Sequence, residues 1–318
     1  MVARRPLRVV FFGTPHFAVP TLDRLLASSH SVVGVVTQPD RPRGRGQKLS
    51  DSPVKARAAD AGLPVLQPAT LKDPGAVAEI AALRADIGVV AAYGKILTQA
   101  ILQTPPLGMV NVHASLLPRY RGAAPVHRAV IAGDSQTGVT IMRVVKALDA
   151  GPMLATVHRS IDPDETSEDV ERDLAQLGAD LLISTLDRLA HGPIEEEPQD
   201  DAHATYAARL TKEDGIVDWS KSAVDVHNLI RGLYPWPHAC TFWKGRRLIL
   251  LRSTPSSGTT HALAGTVIAA HSDELRVAAG DGHLQILELQ AEGKRPMAAR
   301  DFLAGNHIEP GDHFVSHP

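Results

Sequence analysis

Short apolar runs rich in β-branched residues, at 7–12, 32–37, 86–91 and 109–113, alternate with stretches of helical spacing, and this alternation constrains the fold more than any other feature. Phe17, Leu22, Leu25 and Leu26 give residues 16–27 an apolar helical face, which completes a βαβ unit with the first two runs. Ser52-Pro53 and Asp73-Pro74 each place a capping side chain before a proline suited to the first helical turn, and Gly62 closes the first of these helices. Runs that are apolar on both faces fit parallel strands covered by helices. A Rossmann-like parallel α/β sheet follows, with its ligands expected outside the carboxyl ends of the strands.

Residues 139–145 and 153–161 read as two more strands, after which Thr166 and Asp169 form a capping box that opens a long helix ending near Gly192. The acidic, proline-flanked stretch beyond it reads as a linker. The expected organisation is a first domain over 1–192, a linker over 193–207 and a second domain over 208–318. Within the second, a helix at 223–233 precedes short strands at 239–243, 246–251, 265–270, 275–279 and 284–289, with turns at Lys244-Gly245 and Gly280-Asp281-Gly282. Such a pattern suits a small β-barrel, although strand count alone does not choose a barrel over a sandwich.

A formal net charge of −2 over 318 residues gives no global field for nucleic acid, so any RNA contact must come from local basic patches. Cys240 is the only cysteine. It can form no internal disulfide and, without a cluster of soft ligands, makes a zinc site a poor expectation; a buried thiol in a reducing compartment fits better. The apolar segment behind Arg4 and Arg5 is interrupted by Gly13 and Pro15, and no later segment reaches the length of a membrane span. A cytoplasmic location with no membrane association is expected, and nothing in the sequence demands more than a monomer.

The chemistry concentrates where the fourth run ends, in Asn111-Val112-His113-Ala114-Ser115-Leu116-Leu117-Pro118-Arg119-Tyr120-Arg121-Gly122. Period-two alternation places Asn111 and His113 on one face of the strand end, with Val112 turned away. Imidazole is a general base near neutral pH, and an amide can donate to a developing oxyanion, so the pair suits acyl transfer. Hydrogen bonding that merely ends a strand is the competing role for both. Gly13-Thr14-Pro15-His16 occupies the usual place of a phosphate loop but lacks the glycine fingerprint of dinucleotide binders.

This passage resembles the formyl-donor motif of folate-dependent formyltransferases, and its extension through Ala123-Ala124-Pro125 is similar to the branch of that family acting on methionyl initiator tRNA. Further matches are Phe12-Gly13-Thr14-Pro15, Thr37-Gln38-Pro39-Asp40-Arg41-Pro42, Ala92-Tyr93-Gly94, Thr137-Gly138-Val139-Thr140-Ile141-Met142, Leu148-Asp149-Ala150-Gly151 and Pro235-Trp236-Pro237. The resemblance implies that Asn111 binds the formyl oxygen, that His113 accepts a proton, and that Asp149 positions His113; nothing in the spacing places Asp149 there. It implies a donor, 10-formyltetrahydrofolate, cradled by Ser115, Leu116, Leu117 and Pro118 and lined by Tyr93, Gly94, Ile96 and Leu97, with no metal. It also implies an OB-like fold for the second domain.

The stretch from Arg41 to Lys48 is a strongly cationic loop which, alone, reads as a solvated charged segment. In the resembling family it reaches toward the tRNA acceptor stem, so Arg41, Arg43, Arg45 and Lys48 become candidate tRNA contacts, Arg45 matching the key arginine. Lys244, Arg246 and Arg247 form a second basic stretch, and strict alternation puts Arg246 and Arg252 on the same face. Trp219, Trp236 and Trp243 lack the interleaved basic pattern of a base-stacking surface and are expected to pack. Two alternatives stand beside the tRNA reading: a sugar-nucleotide amine formyltransferase, and a non-catalytic RNA-binding protein.

Overall fold

The structure, a computed structural model, describes residues 5–43, 48–256, 258 and 261–317. Contacts divide the chain into two units, one of Met1–Pro125, Gln136–Arg159 and Glu171–Ala207, the other of Val126–Ser135, Ser160–Val170 and Ala208–Pro318.

The chain starts with β1 (Arg8–Gly13), α1 (Val19–Leu26) and β2 (Ser31–Val36), then a hairpin of β3 (Arg41–Arg43) and β4 (Lys48–Ser50). Next come α2 (Pro53–Asp60), β5 (Val65–Leu66), α3 (Pro74–Ala82), β6 (Ile87–Ala91), α4 (Gln99–Leu102), β7 (Met109–His113) and β8 (Arg121–Gly122). After α5 (Pro125–Ile131) follow β9 (Gln136–Arg143), β10 (Met153–Ser160), α6 (Ser167–Leu189) and β11 (Tyr206–Ala207). The main sheet of the first unit has the order β10-β9-β7-β6-β1-β2-β5. From β5 to β7 the pairing is parallel, as the apolar runs predict. Beyond β7 it changes: β9 joins antiparallel, so the sheet is mixed.

Local signals explain the helix ends. Ser52 Oγ accepts the Lys55 N–H at 3.1 Å, and the Asp73 carboxylate accepts from Gly75 and Ala76. Gly62 takes φ +67°, while Gly62 N donates to Ala59 O and Leu63 N to Ala58 O, a Schellman closure that glycine adopts without a Cβ penalty. Thr166 and Asp169 cap reciprocally, each backbone N–H donating to the other's side chain. On one face of the sheet Val10, Phe12, Val36, Ile80, Tyr93 and Met109 form a buried cluster, each large side chain contributing roughly 1.5–3 kcal/mol.

In the second unit α7 (Ala223–Gly232) precedes β12 (Ala239–Trp243), β13 (Arg246–Ser256), β14 (Val267–His271), β15 (Glu274–Ala278), β16 (His283–Ala291), β17 (Met297–Ala298), α8 (Ala299–Gly305) and β18 (Phe314–Val315). The sheet order is β14-β15-β16-β13-β12-β18, with β17 on β16. Its two ends meet: Thr266 bridges His313, Val267 N donates to Asp312 O and Phe314 N to Gly265 O, each at 2.8 Å. That closure makes the sheet a curled barrel, OB-like, around Trp219, Leu248, Leu250, Ile286, Phe302 and Phe314. Cys240 is buried. Trp219 and Trp243 are also buried, whereas Trp236 is half-exposed, so the packing expectation holds for two of the three tryptophans.

β13 runs longer than its apolar pattern predicts. Irregularities between Leu250 and Arg252, and again between Arg252 and Ser253, let it continue while Leu250 and Leu251 are both buried. The alternation relating Arg246 to Arg252 is therefore interrupted. Among the described residues, no helix is long and apolar enough to cross a membrane.

His127, His227 and His238 all lie in the second unit, and burial holds each below its ordinary pKa, with Arg128 and Arg247 adding repulsion at the first and third. His227 is neutral between Ser253 Oγ at 3.1 Å and the Pro163 carbonyl at 3.0 Å. Since the folded form binds these protons less readily than the unfolded chain, the contribution is present above the ordinary value of 6.5 and is lost as pH falls below it. The urea midpoint of the second unit is expected to drop between pH 7.5 and 5.5, with a shallower pH dependence in His227→Gln.

Candidate active site

β7 ends against three pieces of chain distant in sequence. Val112 faces α6, where a Cβ on Gly178 would lie 2.7 Å from Val112 Cγ1 and 3.1 Å from Val139 Cγ1, so the glycine lets the helix pack close on that face. Strand alternation turns Asn111 and His113 to the other side. His113 is buried, and its Nε2 lies 3.0 Å from the Tyr120 carbonyl. A carbonyl only accepts, so Nε2 carries the hydrogen and the neutral ring presents a bare Nδ1.

Nδ1 lies 3.8 Å from Asp149 Oδ2, and that same oxygen accepts the Gly122 N–H at 2.8 Å. The sheet register pairs His113 with Thr140 and leads β9 on to Arg143 opposite Val110, so it is the loop after β9 that returns to His113, where Gly122 N and Gln199 Nε2 hold the Asp149 turn. At 3.8 Å the carboxylate is beyond hydrogen-bond length and within ion-pair distance of the ring nitrogen. Tyr120 and Asp149 have positive φ, at 60° and 46°, which L side chains rarely adopt, and Gly122 takes 119° without a Cβ penalty, so two residues beside the ring are held in unfavourable conformations. The Asn111 amide makes no hydrogen bond within the described residues and is half-buried.

The loop after β7 is internally fixed. Ser115 Oγ donates to Arg119 O at 2.7 Å, Thr140 Oγ1 donates to Ser115 O at 2.8 Å, and Leu117 N donates back to Thr140 Oγ1 at 3.2 Å. Ser115 and Leu117 are buried, Leu116 and Pro118 half-buried. A Cβ on Gly138 would lie 2.0 Å from Val157 O and 2.5 Å from Leu116 Cδ2, which explains the glycine in that motif.

Of the residues on β6's far side, Tyr93 puts its ring into the core edge-on to Phe12, with centroids 5.5 Å apart, and burial pushes its phenol up to about 12. Its carbonyl accepts from Thr14 Oγ1 at 3.1 Å and from Gln38 Nε2 at 2.8 Å. Gly94, at φ +78°, leaves room for that Gln38 amide. Ile96 is 85% exposed, whereas Leu97 is buried.

Arg41 Nη2 donates to Gln38 Oε1 at 2.9 Å, so the base of the β3–β4 hairpin is tied to the Tyr93 backbone. In the backbone register of that hairpin Arg43 pairs with Lys48, and Arg45 lies outside the described residues. In the second unit Lys244 sits over the Trp243 ring and pairs with Asp312 at 3.1 Å, while Arg246 donates to Asn306 at 3.3 Å. Arg247 is half-buried.

Residues outside the candidate set complete the site. Thr140 pins the loop. Gln199, within the stretch read as a linker, donates to the carbonyls of Asp149 and Gly151, at 2.8 and 2.7 Å. Arg121, itself buried, binds Gln199 and Asp201. Thr140 stood inside a quoted motif; for Gln199 no pattern gave a signal.

The formyl transferase family model matches residues 7–186 and the model for formyl transferase, C-terminal domain, matches 209–307. A protein of Roseiflexus sp. named methionyl-tRNA formyltransferase is 47% identical over 309 residues, covering 96% of this chain and 95% of its own. One of the same name from Trichlorobacter lovleyi is 48% identical over 310 residues and 98% of both chains. Among solved structures, an N-formyltransferase from Helicobacter canadensis, in complex with folinic acid and dTDP-3-aminofucose, superimposes with TM-score 0.67 at 17% identity, over 88% of this chain and 98% of its own. That likeness is one of fold.

A Cβ on Gly151 would fall 1.9 Å from the Arg143 carbonyl, whereas one on Gly305 would meet nothing within 4 Å. Gly151→Ala is expected to destabilise the first unit by about 1–3 kcal/mol in urea unfolding, by forcing the Asp149 turn off β9. Gly305→Ala is expected to leave the midpoint unchanged or slightly raised.

Proposed function

The chain belongs to the methionyl-tRNA formyltransferase family, and from that membership we propose that it transfers a formyl group from 10-formyltetrahydrofolate to the α-amino group of methionyl initiator tRNA. The observation that carries the reading is identity of 47–48% with relatives of that name over nearly the whole of both chains, which includes both units. The chain is thus an enzyme, a one-carbon transferase of translation initiation.

The donor supplies an activated formyl carbonyl. Asn111 is placed to donate its unpartnered amide to the formyl oxygen as charge develops there. A free α-amino group titrates near 8, so part of it is already neutral and attacks directly. A carbon–nitrogen bond forms to the amine, the bond to the folate nitrogen breaks, and one proton passes from the first nitrogen to the second. With Nε2 committed to Tyr120, His113 takes that proton at Nδ1, and the Asp149 carboxylate stabilises the resulting cation. Ser115, Leu116, Leu117 and Pro118, with Tyr93, Gly94, Ile96 and Leu97, form the donor side. An exposed isoleucine next to a buried core supports that assignment, as a folate ring needs apolar surface that is open to it.

Arg41, Arg43, Arg45 and Lys48 meet the acceptor end of the tRNA, and Lys244, Arg246 and Arg247 its body. The working division is catalysis over 1–192, a linker over 193–207 and tRNA binding over 208–318. The enzyme is taken as a cytoplasmic monomer.

Formylation of charged initiator tRNA, with charged elongator methionine tRNA and an amino-sugar nucleotide as controls, tests the reading; turnover on the sugar alone would overturn it. Asn111→Ala and His113→Ala are expected to lower kcat by roughly 100-fold to 1000-fold with little change in KM. Arg45→Ala is expected instead to raise KM for tRNA and to flatten its dependence on salt.

A further inference from the structure

The segment at 193–207 is read from sequence as a linker, yet one of its side chains is built into the candidate site. Glu195 to Pro198 and Asp200 are exposed, and Gln199 among them is half-buried. Backbone pairing sets its position: Glu197 and Met153 exchange both hydrogen bonds, at 2.7 and 2.8 Å, which brings Gln199 to the mouth of the Asp149 turn.

Both ends of the amide group are bound within the site, Nε2 also lying 3.9 Å from Met142 Sδ. Nε2 has two hydrogens, and the Asp149 and Gly151 carbonyls accept them at 2.8 and 2.7 Å, bracketing Ala150. Oε1 accepts Arg121 Nε at 2.9 Å, and Arg121 Nη2 continues to Asp201 at 2.7 Å. Arg121 lies between the two residues that define the surroundings of His113: the Tyr120 carbonyl holds Nε2, and the Gly122 N–H holds the Asp149 carboxylate. One side chain therefore joins the piece of chain that binds one ring nitrogen to the piece that faces the other.

We infer that Gln199 is a positioning residue for formyl transfer, which acts through Asp149 by fixing where its carboxylate stands relative to His113 Nδ1. The inference rests on the catalytic reading of Asp149 and His113. An Asp149 turn with positive φ has no conformational preference of its own for this geometry, so an outside group must hold it. An error of about 1 Å in such a placement costs up to about 100-fold in rate. A group acting in this way alters turnover and leaves substrate affinity alone.

Two substitutions separate the functions of the amide. Gln199→Ala removes the bonds to Arg121 and to the Asp149 and Gly151 carbonyls together with the long contact to Met142 Sδ, whereas Gln199→Glu keeps an acceptor for Arg121 and removes both donors to the turn. Both variants are expected to lower kcat by about 10-fold to 100-fold, with KM for charged tRNA and for the formyl donor within about twofold of wild type. In a double-mutant cycle, Gln199→Ala should have little further effect on Asp149→Asn, because both act on one carboxylate. Thermal unfolding of each variant is measured alongside, and should Gln199→Ala not fold, Gln199→Glu with its Arg121 contact supplies the same comparison. A Gln199→Glu enzyme with wild-type kcat overturns the inference, as do Gln199 and Asp149 effects that multiply in the double variant. Asp149→Asn with wild-type kcat overturns the catalytic reading itself, whereas an impaired Asp149→Asn beside a normal Gln199→Glu overturns only the role of Gln199.

Discussion

The hydrogen bond from Gly122 N to Asp149 Oδ2, 2.8 Å long, is the contact on which the site depends. It joins the strand after the β7 loop to the turn between β9 and β10, and so fixes the walls between which His113 is buried. In a buried setting a carboxylate must have partners, and a backbone N–H is one that no side-chain motion can withdraw. The second partner is electrostatic. His113 Nδ1 faces the same oxygen from 3.8 Å, so a proton taken up there in the reaction arrives within ion-pair distance of the carboxylate.

How much of this was legible in the sequence follows from the range of each interaction. The helix starts at Ser52, Asp73 and Thr166 are written within four residues, and the structure has each of them. Asn111 and His113 could be placed on one face because a strand alternates, whatever its partners. Asp149 could not be placed at all from spacing, because its position beside His113 comes from a loop that returns after β9 and is held by Gly122 and Gln199, and the antiparallel turn of β9 was itself not legible in a chain of apolar runs. Gln199 was further out of reach. Its neighbours are acidic and exposed, and the pairing of Glu197 with Met153 that directs it inward is made by backbone atoms that any sequence has.

The basic residues divide along the same line. Their charge is evident from sequence, but their freedom is not. Arg41 is held by Gln38, which also binds the Tyr93 carbonyl, and Lys244 lies against Trp243 while paired with Asp312. A cation already ordered by its own protein loses less entropy when it meets a phosphate, but a paired one must first give up part of its partner. Lys244, shared with Asp312, is therefore better suited to orienting an anion than to supplying most of its binding energy.

Positive φ at Tyr120, Gly122 and Asp149 costs roughly 1–3 kcal/mol for each non-glycine residue, and the cost is concentrated around a single imidazole. Glycine would relieve it at Tyr120 and Asp149, so the side chains there must return something. Asp149 returns its carboxylate. Tyr120 lies under the Arg119 guanidinium, 4.9 Å from the ring centroid, and its N–H is bound by Thr205 Oγ1 at 2.8 Å, so the strained residue is clamped on both sides while its carbonyl holds His113 Nε2. The clamp fixes the tautomer. A ring free to rotate would offer either nitrogen to an incoming proton, whereas a ring whose Nε2 is bound to a fixed carbonyl has its basic lone pair at Nδ1 beside the carboxylate. Strain in the backbone is the means by which a mobile side chain acquires one orientation before substrate arrives, and that preorganisation is where electrostatic catalysis gains most.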